Sequence, residues 1–249
     1  MTVGPPAADI THIARELAPT GTLRAAINLG NLVLTNGSHD DPAGVTVDIA
    51  REAARRLGVP LRLHLVDAAR LSVDALLTGA ADIGFLAVEP ARAAQIAFTA
   101  PYVLIEGVYV VAQDSPLRTP ADVDREGVRV GVKLGSAYDL FLTRTLEHAQ
   151  LVRGDEGVEV YLDQSLEAGA GVRQPTTAWV EAHPGHRVMP ERFQEIQQAA
   201  ATAGDRSPQA VAWLDDLVQE LLLSGFVAES LVRAGQADAT VAPPGGAAP

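Results

Sequence analysis

The sequence has no cysteine, so the chain forms no disulfide bond and binds no metal through a cysteine thiolate. Aromatic residues are scarce, at 4% of the 249 residues, whereas 47% are hydrophobic. The predicted cores are therefore aliphatic and rich in alanine. No stretch approaches the roughly 20 apolar residues of a membrane-spanning helix, so we expect no membrane insertion.

Basic residues are few compared with acidic ones. The chain has 19 Lys and Arg but 31 Asp and Glu, which gives a formal net charge of −12. Nucleic-acid binding requires clustered basic residues, so the composition argues against it. The six histidines are scattered, and Pro184 and Gly185 separate His183 from His186. We therefore predict no metal site and no cofactor.

The N-terminus lacks the basic segment and the apolar core of a secretory signal. As written, the chain is expected in the cytoplasm; it would be periplasmic or extracellular if a signal had been removed. Residues 1–21 are interpreted as an N-terminal arm with a short helix over 9–17.

The first hundred residues alternate apolar runs with helical patterns. Runs of strand length occupy 23–29, 61–66 and 80–86, and the intervening segments 44–57 and 71–77 place apolar residues at helical spacing. Strands that alternate with helices predict an α/β fold with a parallel sheet and right-handed crossovers.

The remainder of the chain continues the alternation less regularly. The pattern predicts strands at 103–113, 128–133, 158–162 and 192–201, and helices at 137–149, 174–182 and 207–234, the last interrupted at Gly225. Residues 236–249 are rich in Ala, Pro and Gly and are predicted to be disordered.

A more specific pattern is GAADIGFLAVEPARAAQIAFTAPY, from Gly79 to Tyr102. It predicts a strand, a turn that begins at Pro90, and a short strand that Pro101 ends. The segment resembles the signature D-(apolar)-T-x-T-P-E-R-x5-F-S-x-P-Y of the extracellular solute-binding proteins of ABC transporters, amino-acid type (family 3). The residues that match in order are Asp82, Pro90, Arg92, Phe98, Thr99, Pro101 and Tyr102.

The resemblance implies a two-lobed, periplasmic-binding-protein-like (type II) fold. Such a fold has two parallel or mixed sheets flanked by helices, with a ligand cleft between the lobes. In this chain, lobe 1 would comprise 22–112 and 193–235, and lobe 2 would comprise 113–192. The arm (1–21) and the tail (236–249) would flank them.

In the family, a threonine and the arginine of this signature hold the ligand α-carboxylate. Arg92 is therefore the leading candidate, because a guanidinium binds a carboxylate through two parallel hydrogen bonds; alternatively, it is a surface residue paired with Glu89. Ala87 and Glu89 replace the two family threonines. Asn31 and Phe85 lie at predicted strand ends and belong either to the ligand site or to a turn and the core.

In the second lobe, Gly135 and Ser136 precede a helix whose free N–H groups suit an anion. Ser136 is equally favourable as an ordinary N-cap. Tyr138 is expected at the rim of the same site. Where the family places an aspartate for the ligand ammonium, this chain has Val172 or Arg173. An arginine there favours a carboxylate ligand without a free amine. The alternative for Arg173 is an outward residue with a salt bridge elsewhere.

Glu106 lies inside the apolar run 103–113, near the predicted hinge. A buried carboxylate is costly unless it is paired. Glu106 is therefore predicted either to contact the ligand or to pair with an arginine or backbone N–H groups. If the ligand carries an ammonium, Glu89 or Glu106 would receive it.

These features predict a solute-binding protein that captures a small carboxylate or amino-acid-like ligand. The resemblance implies uptake through an ABC permease, and we expect a monomer without catalytic residues. One alternative is an enzyme similar to cyclohexadienyl dehydratases, with Glu106 or Glu89 as general acid. Another is an intracellular ligand sensor, which the missing export signal suggests.

Overall fold

The computed structural model describes residues 10–246. Its first ten elements are α1 Ile10–Leu17, β1 Leu23–Asn28, β2 Asn36–Gly37, β3 Pro42–Ala43, α2 Val45–Leu57, β4 Leu61–Val66, α3 Ala69–Leu77, β5 Ile83–Ala87, α4 Pro90–Ala93 and β6 Ile96–Ala112. The remaining elements are α5 Pro120–Val123, β7 Arg129–Lys133, α6 Ala137–Thr145, β8 Gln150–Gly154, α7 Gly157–Asp163, β9 Ala168–Val172, α8 Arg173–Ala182, β10 His186–Val188, β11 Gln194–Ala203, α9 Pro208–Leu223, α10 Phe226–Arg233 and β12 Thr240–Val241. Within the described residues, no helix is both long enough and apolar enough to cross a bilayer.

The contacts divide the chain into two compact units. Unit 1 comprises the residues up to Val103 and those from Gln198 onward, and unit 2 is Leu104–Gln197. Strands β6 and β11 each run from one unit into the other. The sequence predicted residues 104–112 and 193–197 in lobe 1, but both segments belong to unit 2. Of the first segment, Gly107–Ala112 pairs with β9 and β10 of that unit.

The sheet of unit 1 is built around β1. It pairs in parallel with β4 on one side and with β5 on the other. The returning strand β11 pairs antiparallel with β5, from Gln198 opposite Ala87 to Thr202 opposite Ile83. Every residue of β5 is buried, as expected of a strand with neighbours on both sides and helices on its faces.

Helix α2 packs one apolar face against the rest of unit 1. Val45, Ile49, Ala53 and Leu57 recur every four residues, and all four are buried. The helix ends at Gly58, whose φ of 68° is left-handed and therefore favours glycine.

The strands of unit 2 pair in a mixed arrangement. Strand β7 pairs in parallel with β8 and β9, and β9 pairs antiparallel with the second half of β6. Its core consists of residues from the sheet, α6 and the segment after β10, including Tyr109, Leu142 and Met189. Both units are therefore α/β, with sheets flanked by helices, which confirms the predicted fold class.

Two predicted elements are wrong. Residues 158–162 read as a strand, but they belong to α7, while β8 was not predicted. Five residues of the sequence VEVYL are too few to separate a strand from one face of a helix. Pro101 does not end its strand either, because β6 continues through it. Proline is tolerated in a strand where the ladder does not need its N–H.

The arm contains its predicted helix as α1, and part of the tail is more ordered than predicted. In the arm, Ile13 and Leu17 of α1 are buried, and Glu16 accepts a hydrogen bond from Ser207 N at 3.0 Å. Residues 1–9 lie outside the described part. In the tail, β12 pairs with β6, and Ala242 N donates to Tyr102 O at 3.1 Å. The expectation of disorder therefore does not hold for this strand.

Candidate functional site

Arg92 and Glu89 form a buried pair of opposite charge in unit 1. Pro90 starts α4 directly after β5, and the turn carries both side chains into the interior, where Arg92 is 4% and Glu89 1% exposed. Arg92 Nη1 donates to the carbonyl oxygen of Ala87 at 3.0 Å. Burial lowers the pKa of Arg92 to about 10, against the raising effect of the Glu89 carboxylate. Arg92 is therefore not the surface residue of the alternative interpretation.

Phe85 and Asn31 take the roles of core and turn in unit 1. Phe85 is 4% exposed and packs edge-on against Tyr102, with ring centroids 6.1 Å apart. Asn31 follows β1, and its carbonyl oxygen accepts hydrogen bonds from Leu34 N and Thr35 N at 3.1 and 2.9 Å. Their contact with a ligand stays a prediction.

Ser136 is the N-cap of α6 in unit 2. Its Oγ accepts a hydrogen bond from Asp139 N at 3.0 Å. The Asp139 carboxylate is 4% exposed and accepts a hydrogen bond from Gly135 N at 2.9 Å. It also pairs with Arg153 at 3.0 Å. An acidic side chain of the protein thus already lies at this positive helix end.

Tyr138 does not lie at a rim. It is 6% exposed and packs in the core of unit 2. Burial raises the pKa of its phenol, although hydrogen bonds with Ser136 and the Lys133 backbone act in the opposite direction. Tyr138 follows the N-cap Ser136 by two residues and lies on the core side of α6. Its hydrogen bond with Ser136 helps to hold that residue in place.

Glu106 and Arg173, both predicted as ligand contacts, bind each other in unit 2. Arg173 Nε donates to Glu106 Oε2, and Arg192 Nη1 donates to Oε1 at 3.1 Å. Burial opposes ionisation of Glu106, but the two arginines outweigh it and lower the pKa of its carboxyl. Glu106 therefore pairs with arginines, as one of its two predicted roles required. Arg173 is likewise already paired, with Glu106.

Sequence reasoning missed three residues of these clusters: Asp139, Arg153 and Arg192. Asp139 carried a readable signal, since S-x-x-D before a helix is a capping pattern. Arg153 and Arg192 carried none, because their partners are distant in the sequence. Within residues 10–246, no group of three or more His, Asp or Glu side chains is arranged to hold a metal ion.

A model of the bacterial extracellular solute-binding proteins, family 3, matches residues 32–236. The chain belongs to this family. The matched region contains the Arg92 turn, the start of α6 and the Glu106 cluster. Among curated proteins, no match was found.

Solved structures of amino-acid-binding proteins share this fold. A variant of ArgBP from T. maritima is 22% identical, with a TM-score of 0.73 over 90% of this chain and 99% of that chain. AbpA from Streptococcus pneumoniae, an amino acid ABC transporter substrate-binding protein bound to L-arginine, is 20% identical, with a TM-score of 0.72 over 89% and 97%. The ancestral amino acid-binding protein AncCDT-1, a precursor of cyclohexadienyl dehydratase, is 19% identical, with a TM-score of 0.68 over 88% and 96%. These similarities confirm the predicted two-lobed, periplasmic-binding-protein-like (type II) fold of this family member.

Proposed function

We propose that this family 3 solute-binding protein captures a small carboxylate or amino-acid-like solute for uptake by an ABC transporter. The observation that carries the proposal is the family match over residues 32–236, which includes the buried Arg92 turn. Arg92 is the group that the proposal assigns to the ligand carboxylate, which would bind beside its buried neighbour Glu89. The solved neighbours add support, since one of them is bound to L-arginine.

A thermal-unfolding screen tests this function. A solute present at 100 times its dissociation constant stabilises the native state by about 2.7 kcal/mol. For a chain of this size, that corresponds to a rise in Tm of roughly 5–10 °C. The panel contains the twenty L-amino acids and small mono- and dicarboxylates, and we expect at least one of them to raise Tm by this amount.

Arg92→Ala is expected to abolish the rise caused by the solute. Arg62→Ala is the matched control, since Arg62 is an exposed arginine of the same unit and its loss should leave the rise unchanged. A screen in which no solute raises the Tm of the wild-type chain would contradict the proposal.

The geometry gives a dehydratase less support. Two general acids are proposed for that alternative, Glu106 and Glu89. Glu106 is bound by two arginines that lower its pKa, whereas a general acid at neutral pH needs a raised pKa. Glu89 is buried beside the opposite charge of Arg92. We therefore expect no turnover of prephenate or arogenate by the wild-type chain. Turnover that Glu106→Gln abolishes would reinstate the enzyme.

A further inference from the structure

Two arginines from different segments of unit 2 converge on the carboxylate of Glu106. Arg173, the first residue of α8, donates to one oxygen, and Arg192, which lies just before β11, donates to the other at 3.1 Å. Arg173 also donates through Nη2 to the carbonyl oxygen of Pro190 at 2.8 Å. Arg192 also pairs with Glu195 at 3.0 Å. Both oxygens of Glu106 are therefore taken by a guanidinium.

The cluster is accessible to small solutes. The side chains of Arg173, Arg192 and Glu106 are 30%, 48% and 35% exposed. Two guanidinium groups that meet at one point form an arrangement suited to a carboxylate, sulfate or phosphate ligand. In this chain, the protein itself supplies the carboxylate.

We propose that Glu106 is a built-in carboxylate that fills an anion-binding position formed by Arg173 and Arg192, and thereby excludes anionic groups of a ligand from it. An incoming anion would have to displace Glu106 and would meet the like charge of Glu195. Unfavourable charge contacts of this kind are a common means of rejecting a wrong ligand.

The inference rests on the proposed function and narrows its ligand class. The cluster contains two arginines and two glutamates, so it adds no net charge that would attract an anion. Amino acids with neutral or basic side chains remain compatible with unit 2. Dicarboxylates, and amino acids with a second acidic group at this position, are rejected.

The test removes the charge of Glu106 while preserving its shape. Wild type and Glu106→Gln are unfolded thermally in increasing sodium sulfate, with sodium chloride keeping the ionic strength constant. The chloride balance keeps charge screening constant. The non-specific stabilisation that sulfate gives to any protein is common to all variants and is removed by comparing them. We expect Glu106→Gln to reach half of its Tm rise at a sulfate concentration roughly tenfold lower than wild type.

Two further variants show whether the arginine pair carries the effect. Adding Arg173→Met to Glu106→Gln should return the sulfate dependence to that of wild type. Glu167→Gln is the matched control, because Glu167 is 37% exposed in the same unit and pairs with Arg129. It frees one arginine rather than two, so its sulfate dependence should equal that of wild type.

The possible outcomes separate the two proposals. Equal sulfate dependence of wild type and Glu106→Gln would overturn the built-in carboxylate, as would an undiminished response after Arg173→Met. If Glu106→Gln does not fold in chloride, sulfate is added to it and to the double variant with Arg173→Met. Recovery of the folded state by Glu106→Gln but not by the double variant supports the proposal, and equal recovery or no recovery contradicts it. Because sulfate is the probe, a failed solute screen beside a positive sulfate response removes only the proposed function.

Discussion

Asp82 is completely buried, and its carboxylate binds the guanidinium of Arg24 through two parallel hydrogen bonds, Nε to Oδ2 at 2.9 Å and Nη2 to Oδ1 at 2.6 Å. Arg24 N also donates to Oδ2 at 3.0 Å, and Arg206 Nη2 approaches Oδ1 at 3.4 Å. These bonds connect β1, β5 and the segment after β11. Asp82 therefore fixes the register of the strand that leads to the Arg92 turn.

The first prediction follows from the burial of Asp82. Asp82→Asn keeps the size of the side chain but leaves Arg24 without its counter-charge, while Arg206 retains only the nearby carboxylate of Glu16. Removing one partner of a buried ion pair typically costs about 3–5 kcal/mol. We expect a loss of this order in the free energy of unfolding, measured by urea denaturation.

Glu229→Gln is the matched control for Asp82→Asn. Its partner Arg233 lies 4.0 Å away, and both side chains are more than half exposed. Exposed pairs contribute about 0–1 kcal/mol, so this substitution should change stability little. Equal losses for the two variants would show that the buried Asp82 cluster stabilises the fold no more than an exposed ion pair does.

The second prediction concerns a close approach of backbone in unit 2. A Cβ placed on Gly157 would lie 2.3 Å from the carbonyl oxygen of Ala170 and 3.0 Å from that of Gly131. These oxygens belong to paired strands and move only if the sheet distorts. We expect Gly157→Ala to lower the free energy of unfolding by about 1–3 kcal/mol or more.

Gly154→Ala is the control for Gly157→Ala. Its Cβ would lie 2.1 Å from Cγ2 of Val160, a β-branched residue that cannot easily change rotamer in a helix, and would meet no backbone atom within 4 Å. Both variants therefore also carry Val160→Ala, which removes this contact and leaves the backbone clash at Gly157 in place. Both variants are made in a Trp213→Phe background, so that the remaining Trp179 reports on unit 2 in urea unfolding. A loss for Gly154→Ala as large as that for Gly157→Ala would contradict the steric argument.

The same close approach explains where sequence reasoning failed. The alternation of residues 158–162 predicted a strand, yet Gly157 lets this segment pack as α7 against the strands of unit 2. Local patterns succeeded where they were long or specific, as in α2 and in the turn at Pro90. A five-residue pattern is decided instead by tertiary packing.

In the candidate site, too, some features could be predicted from the sequence and others depend on tertiary packing. The family resemblance and residue chemistry together predict Arg92, Ser136 and Glu106 as ligand-binding groups, and their contact with a ligand stays a prediction. Sequence did not reveal that Arg173 pairs with Glu106, because 67 positions separate them. Nor could it place Tyr138 in the core, since the rotation of a short helix depends on how its cap and its neighbours pack. Charge partners and side-chain directions are properties of the assembled fold.

The third prediction concerns stability in acid. Glu52 in α2 is 16% exposed and accepts hydrogen bonds from Arg55 and Arg56. The hydrogen bond from Arg55 lowers the pKa of the Glu52 carboxyl from the ordinary 4.5 to about 2. Burial acts in the opposite direction, and Arg56 adds to the lowering. A lowered carboxyl pKa stabilises the folded state above pH 4.5, and this contribution is lost as the pH falls from 4.5 to about 2.

Glu52→Gln should therefore destabilise the chain at pH 7. The pKa shift sets an upper limit of about 3 kcal/mol, and we expect a smaller loss because Arg55 is largely exposed and solvent screens the pair. At pH 2 the difference from wild type should vanish. Urea denaturation of both proteins at the two pH values measures it. A difference that stays constant between pH 7 and pH 2 would contradict the assignment of the low pKa to Glu52.

The last prediction separates the two roles of Ser136. Its hydroxyl caps α6 by accepting from Asp139 N and also bonds with the Tyr138 phenol. Ser136→Ala should cost about 0.5–2 kcal/mol of stability, whereas Ser136→Thr retains the acceptor and should cost less. If the hydroxyl also binds the solute, Ser136→Ala will weaken the solute-induced rise in Tm, and Ser136→Thr will not. A rise of equal size in Ser136→Ala and wild type, beside a lower Tm without solute, would assign the hydroxyl to the cap alone.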